Sequence, residues 1–318
     1  LSQFSAYNAI LFCIFYSKVL MNIIIKCLDP KSQAAFLIVL ATIFIAGTMV
    51  LAKSLGQDWL GESLHPLQIS AGRFSFAWMA LVMVFIVKKP KIKSPDLKLH
   101  TLRSMLGWSG VTLMFASASM IPLSDATAIS FLNPVFAMLL ALYFLKEKIG
   151  KYRWIAAFLA ITGAFVLLRP SSNTIQIAGL LALFAAILMG AELILMKIIT
   201  RNESPFQILI INNSIGFIVS VCAAYFVWQH PTPFQWFALI SIGVLMICAQ
   251  ACYINAIAIA DASYVAPFSY MTLIFVTLYD FVLFNQIPDH ISLLGIFLIL
   301  IGAILLAWRE KINLKIKI

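Results

Sequence analysis

Residues 121–170 read IPLSDATAISFLNPVFAMLLALYFLKEKIGKYRWIAAFLAITGAFVLLRP. Two apolar runs, 126–145 and 153–169, flank a basic loop holding Lys146, Lys148, Lys151 and Arg153. Each run approaches the ~20 residues a helix needs to cross a bilayer. A hairpin of apolar helices with its cations gathered at one turn belongs in a membrane. Asp125-Ala126-Thr127 opens the first run, Pro134 interrupts it, and Gly163 sits midway along the second.

Working outward, the same order recurs in the second half, from IAIADASYVAPFSY (257–270) to IPDHISLLGIFLILIGAILLAW (287–308). Asp261-Ala262-Ser263, Pro267 and Gly302 answer Asp125-Ala126-Thr127, Pro134 and Gly163; Asn285-Gln286 answers Lys146-Glu147. Gly47 and Lys53 near the start are matched by Gly190 and Lys197. Hydrophobic spans are predicted over 36–56, 67–87, 103–121, 126–145, 153–169, 178–199, 206–228, 236–258, 264–284 and 291–308. The chain thus divides into an N-terminal extension (1–35, peripheral or poorly ordered), two five-helix repeats (36–170 and 171–308) and a basic tail (309–318). Five is odd, so the second repeat enters the membrane inverted, the arrangement of secondary transporters with a midplane site between the halves. The expected fold class is all-α: a polytopic membrane protein of ten transmembrane helices in two inverted repeats.

Composition agrees. Hydrophobic residues make up 63% and charged residues 11%, against about 45–50% and about 25% in soluble domains. The net charge of +10 does not indicate nucleic acid, because the cations lie in alternate loops. All but three of the 22 Lys and Arg fall on one side if both termini are cytoplasmic, as the positive-inside rule requires. That places the chain in a bacterial inner membrane. The three exceptions are Lys53, Arg73 and Arg169. Lys53 and Arg169 read as snorkelling to the outer headgroups; Arg73 lies deeper. The five cysteines show no metal-type spacing.

The 121–170 stretch and its second copy resemble the drug/metabolite transporter superfamily, the EamA-type ten-helix carriers. The resemblance covers residues 36–308, implies alternating access, and leaves the substrate open. The segment APFSYMTLIF (266–275) and the NQIPD exit look most like carriers of S-adenosylmethionine or riboflavin. Some carriers of the first group have a cation beside the tyrosine of that segment, where this chain has Ser269.

Ionisable groups inside a bilayer cost roughly 2.5–3.5 kcal/mol at the helix centre, which makes them functional candidates. Glu192 can bind an amine-bearing substrate, carry a proton, or pair with Lys197. Arg73 can meet a substrate carboxylate or pair with Asp280 as an outer gate. Asn133, Asn212, Gln250, Tyr253, Ser269 and Tyr270 are candidate cavity lining, with helix-to-helix hydrogen bonding as the alternative. Pro134 and Pro267 are candidate hinges, or static kinks. The expected pocket has no cation in its middle third, and so suits a zwitterion or polar ring better than a phosphate ester.

No catalytic constellation, filter loop or GxxxxGK motif is present, which disfavours an enzyme, a channel and ATP coupling within the chain. The expected partners are a small-molecule substrate and the lipid bilayer, with no nucleic acid and no ATPase subunit. Monomer and homodimer both remain open, and neither cofactor nor metal is expected.

Overall fold

A computed structural model describes residues 29–90, 94–144, 150–168, 177–200, 203–259 and 268–316. The described residues are helical and contain no strand. Eleven helices follow in order: α1 (Pro30–Gly56), α2 (Pro66–Lys88), α3 (Leu97–Met120), α4 (Leu123–Ser130), α5 (Asn133–Phe144), α6 (Lys151–Leu168), α7 (Ile177–Ile199), α8 (Pro205–Tyr225), α9 (Pro233–Ile259), α10 (Met271–Phe284) and α11 (His290–Ile316).

Local chemistry sets several starts. Asp29 caps α1 ahead of Pro30, and bonds from the Ser32 hydroxyl and N–H hold its carboxyl below the usual carboxylate range. His65 caps α2 before Pro66, and Ser204 caps α8 before Pro205. Asp96 accepts from Lys98 N–H and Leu99 N–H, so α3 begins at Leu97. This is six residues earlier than the predicted span, and Arg103 therefore lies inside the helix. At the N-terminus, residues 30–35 of the expected extension are the first turns of α1, and residues 1–28 lie outside the described residues. The expected tail is largely helical as well: α11 runs to Ile316, because no breaker follows Trp308.

Six segments are long and apolar enough to cross a membrane: Pro30–Gly56, Pro66–Val87, Leu123–Tyr143, Ile177–Ile199, Pro205–Tyr225 and Pro233–Ala256. Trp154–Leu168, Met271–Phe284 and His290–Leu305 are shorter apolar helices. α3 carries more polar groups, but His100, Arg103, Ser104, Thr112 and Ser117 all face inward.

The segment 123–144 is broken at Phe131-Leu132, ahead of Pro134. Proline has no N–H to return to Ser130, and its ring crowds the preceding turn. α10 begins just after a turn at Tyr270, and the two breaks meet: the Phe131 and Tyr270 rings lie edge to face at 5.3 Å.

α6 lies along α11, α1 along α9, α3 along α7 and α2 along α8; α5 packs on α7, and α10 on α1. The α6–α11 seam is lined by Ala156, Ala160, Ala164, Gly163 and Gly302. A Cβ at Gly163 would stand 2.6 Å from the Gly295 carbonyl, so the backbones touch. Large apolar side chains point outward instead, with Phe158 71% and Phe165 61% exposed. Small residues inside and aromatics outside suit a bundle solvated by lipid.

Candidate substrate site and charged helix ties

Glu192 on α7 approaches α3 at Gly107, where a Cβ would stand 2.8 Å from its carboxyl carbon. Glycine therefore leaves the carboxylate its place. Glu192 Oε1 accepts from Arg103 Nη2 at 3.1 Å; the glutamate side chain is 20% exposed and the arginine 5%. Arg73 on α2 lies within electrostatic range of the same carboxylate. Its guanidinium carbon stands 4.3 Å from the Phe74 ring centre. Gly216 on α8 accommodates that ring, since a Cβ there would sit 2.4 Å from it. Arg73 is 4% exposed, and its Nε and Nη1 have no hydrogen-bond partner. Nor do Nε and Nη1 of Arg103 or Nε1 of Trp108. One residue from Arg103, the Ser104 hydroxyl donates to Asn212 Oδ1 at 3.0 Å. The Asn133 carbonyl lies against Gly190, two residues before Glu192. The α7 carboxylate thus meets α3 directly, through Gly107 and Arg103, and lies within electrostatic range of Arg73 on α2. These groups can hold opposite charges of one ligand at once.

Of the residues picked out in the sequence, Glu192 and Arg73 come within electrostatic range of each other; Asn212 is tied to Ser104, one residue from Arg103, and Asn133 abuts Gly190 through its backbone. Gln250, with an unpartnered buried Oε1, lies two turns further along α9 than Gly243, which abuts Phe76. Tyr253 is 38% exposed. The Tyr270 hydroxyl donates to the Ala303 carbonyl at 3.1 Å, and the Ser269 carbonyl accepts from Thr272. Pro267 lies outside the described residues.

Four readings of the sequence are corrected. Glu192 pairs with Arg103 and not with Lys197. Two buried arginines, Arg73 and Arg103, act on Glu192, where the expected pocket had no cation, because the longer α3 carries Arg103 inward. The expected Arg73–Asp280 pair does not form: α10 packs on α1 and α4, so Asp280 reaches Lys53 at 2.9 Å. Nor does Lys53 snorkel. It is 0% exposed, donates also to Gln286 Oε1 at 2.7 Å, and stands 4.5 Å from the Phe284 ring centre. Asp280 in turn accepts from Ser124 N–H at the start of α4, 3.2 Å away. This tie sits at the bundle end bearing residues 57–65. Gln68 bridges to Gln229 and Gln235 to Glu62 at that same end. At the opposite end His100 Nε2 lies 2.9 Å from Glu203 Oε2, which also accepts from Gln207.

An S-adenosylmethionine uptake transporter of Rickettsia bellii is 28% identical over 268 residues, covering 84% of this chain and 92% of that protein. A riboflavin transporter of Vibrio cholerae is 29% identical over 215 residues, covering 67% of this chain and 72% of that one. A pseudopaline exporter, CntI, of Pseudomonas aeruginosa is 24% identical over 215 residues, covering 66% and 74%. One solved structure shares the fold, with a TM-score of 0.59 at 16% identity, over 86% of this chain and 97% of its own. The EamA-like transporter family matches twice, at residues 32–169 and 176–308. A chain of membrane-crossing helices that carries this match in both halves belongs to the EamA-like transporter family.

Proposed function

We propose that the chain is a secondary carrier of a small polar metabolite of the amino-acid type, S-adenosylmethionine being the leading candidate. It works by alternating access in a bacterial inner membrane, with both termini cytoplasmic. The observation that carries this reading is the partly buried carboxylate of Glu192, bonded to Arg103 and within electrostatic range of the buried Arg73. An ammonium or sulfonium entering the site competes with Arg103 for Glu192. Binding then loosens a contact between α3 and α7, which is a direct way to couple occupancy to movement.

The neighbour map supports ten spans in two inverted repeats. Let α1, α2, α3, α4–α5 and α6 correspond to α7, α8, α9, α10 and α11. Exchanging the halves turns α1–α9 into α7–α3 and α5–α7 into α10–α1. It leaves α2–α8 and α6–α11 unchanged. In this reading the Lys53–Asp280 tie closes the outer side and the His100–Glu203 tie the inner side. The breaks at Phe131 and Tyr270 are the places where the gating helices bend. A riboflavin carrier of the same fold has the name of one relative and the free Trp108 N–H in its favour, yet gives Glu192 no cation to bind.

The test is counterflow. Proteoliposomes preloaded with S-adenosylmethionine should take up the labelled compound faster than empty ones, and Glu192→Gln should lower the rate at least about tenfold, the loss of one charge-assisted contact. Uptake that is unaltered by Glu192→Gln across pH 5–8, with competition only by sugar phosphates, would sink the proposal.

A further inference from the structure

We infer that Arg73 receives a carboxylate of the carried substrate, so that the carrier selects acids over their amide or decarboxylated counterparts. This inference rests on the carrier reading above.

The first ground is an unmet charge. Arginine stays protonated in proteins and offers five N–H donors. Arg73 is 4% exposed, and its Nε and Nη1 are sealed from solvent without a partner. Leaving a cation so placed costs several kcal/mol unless an anion joins it. Glu192 acts on it only at a distance: its Oε1 is bonded to Arg103, and Nε and Nη1 of Arg73 donate no hydrogen bond to it. Two guanidinium groups and one carboxylate leave the site one positive charge in excess. The other buried carboxylates among the described residues are engaged elsewhere: Asp280 with Lys53, Asp125 with the Ser292 hydroxyl, and Glu203 with His100 and Gln207.

The second ground is geometry. The guanidinium lies over the Phe74 ring, and that ring is seated against α8 at Gly216. The ring contact holds the guanidinium in place, and a planar fork matches the two oxygens of a carboxylate. An arginine placed only to pin helices together would have its N–H groups on a neighbouring side chain or carbonyl. Here they are held in position with nothing to hold. An α-amino acid group satisfies both sides of the site, its carboxylate on Arg73 and its cation on Glu192. A neutral ring compound satisfies neither.

The experiment pairs acids with analogues that lack the charge: S-adenosylmethionine with its decarboxylated form, and methionine with methioninamide. Binding to the purified full chain is read by thermal shift, and transport by inhibition of counterflow. For the wild type the acid of at least one pair should bind roughly tenfold to a hundredfold better, the span expected of charge-assisted hydrogen bonds. Arg73→Gln should reduce that ratio to about threefold or less. Arg73→Lys should restore part of the preference, and Glu192→Gln should weaken both members while preserving their ratio. An unchanged ratio in Arg73→Gln overturns the inference, as does a wild type with no preference for the acid in either pair. Should Arg73→Gln fail to fold, a ratio in Arg73→Lys below that of the wild type supports the inference and a full wild-type ratio in it overturns it. The carrier reading fails separately: Arg73-dependent acid binding without counterflow would remove that reading and leave the Arg73 site standing. Counterflow of riboflavin alone, indifferent to Arg73→Gln, would do the reverse.

Discussion

Lys53→Met tests the tie between the halves. The ammonium makes two hydrogen bonds, to Asp280 at 2.9 Å and to Gln286 at 2.7 Å, with no solvent exposure. Each such bond to a charged group is worth about 1.5–3 kcal/mol. Removing one member of a buried pair costs about 3–5 kcal/mol, because the other charge stays behind. Asp280 keeps only the Ser124 N–H at 3.2 Å and the positive end of the short α4. That residual support places the expected loss near the lower limit, about 3 kcal/mol. Removing both charges removes the stranded carboxylate, so Lys53→Met combined with Asp280→Leu should cost less than the sum of the single changes by about 2 kcal/mol or more. The assay is unfolding in mild detergent titrated with denaturant, run as a double-mutant cycle with a detergent-exchange control. An unchanged midpoint for Lys53→Met, or a coupling below ~0.5 kcal/mol, would show that the pair does not hold these helices together.

Three further outcomes follow from the geometry. Gly107→Ala sets a methyl 2.8 Å from the Glu192 carboxyl carbon and 2.9 Å from Oε2, so uptake should fall about tenfold, as for one lost charge-assisted contact, in a protein with wild-type stability. Normal uptake would show that Glu192 can move without consequence. Gly163→Val drives a branched side chain into the Gly295 carbonyl and Ile299, and unfolding in detergent should register about 1–3 kcal/mol of overpacking cost. Pro134→Ala returns an N–H to the 123–144 segment and should slow counterflow while leaving substrate affinity intact; wild-type rates in both Pro134→Ala and Pro267→Ala would eliminate the hinge role.

Much of the architecture was legible because lipid imposes a simple rule: a long apolar run without internal charge must be a helix that spans. The duplicated Asp-Ala-Thr/Ser and proline pattern likewise marks the breaks that meet at Phe131 and Tyr270. The errors lie at helix ends and in partner choice. Arg103 looked like a loop cation because hydropathy places the third span at 103–121, whereas the Asp96 cap starts the helix at Leu97. An Asp followed by a helical pattern was the available signal. Lys53 looked like a snorkelling residue because its partner is 227 positions away, and no local pattern reports which helices touch. Glu192 was visible as a lone carboxylate in an apolar run, but the two arginines beside it come from other helices and needed the fold.

Every residue of α4 is buried, including Ser124, Asp125, Thr127 and Ser130. Its neighbours include α7, α10 and α11, which the ribosome delivers later. Lipid cannot solvate those polar groups in the meantime. The Asp125 carboxylate finds the Ser292 hydroxyl, and the α4 terminus finds Asp280, only once the second half has arrived. The packing of this one short segment is therefore completed only by contacts from the second half. A chain that stops before α11 lacks Ser292, whose hydroxyl donates to the Asp125 carboxylate.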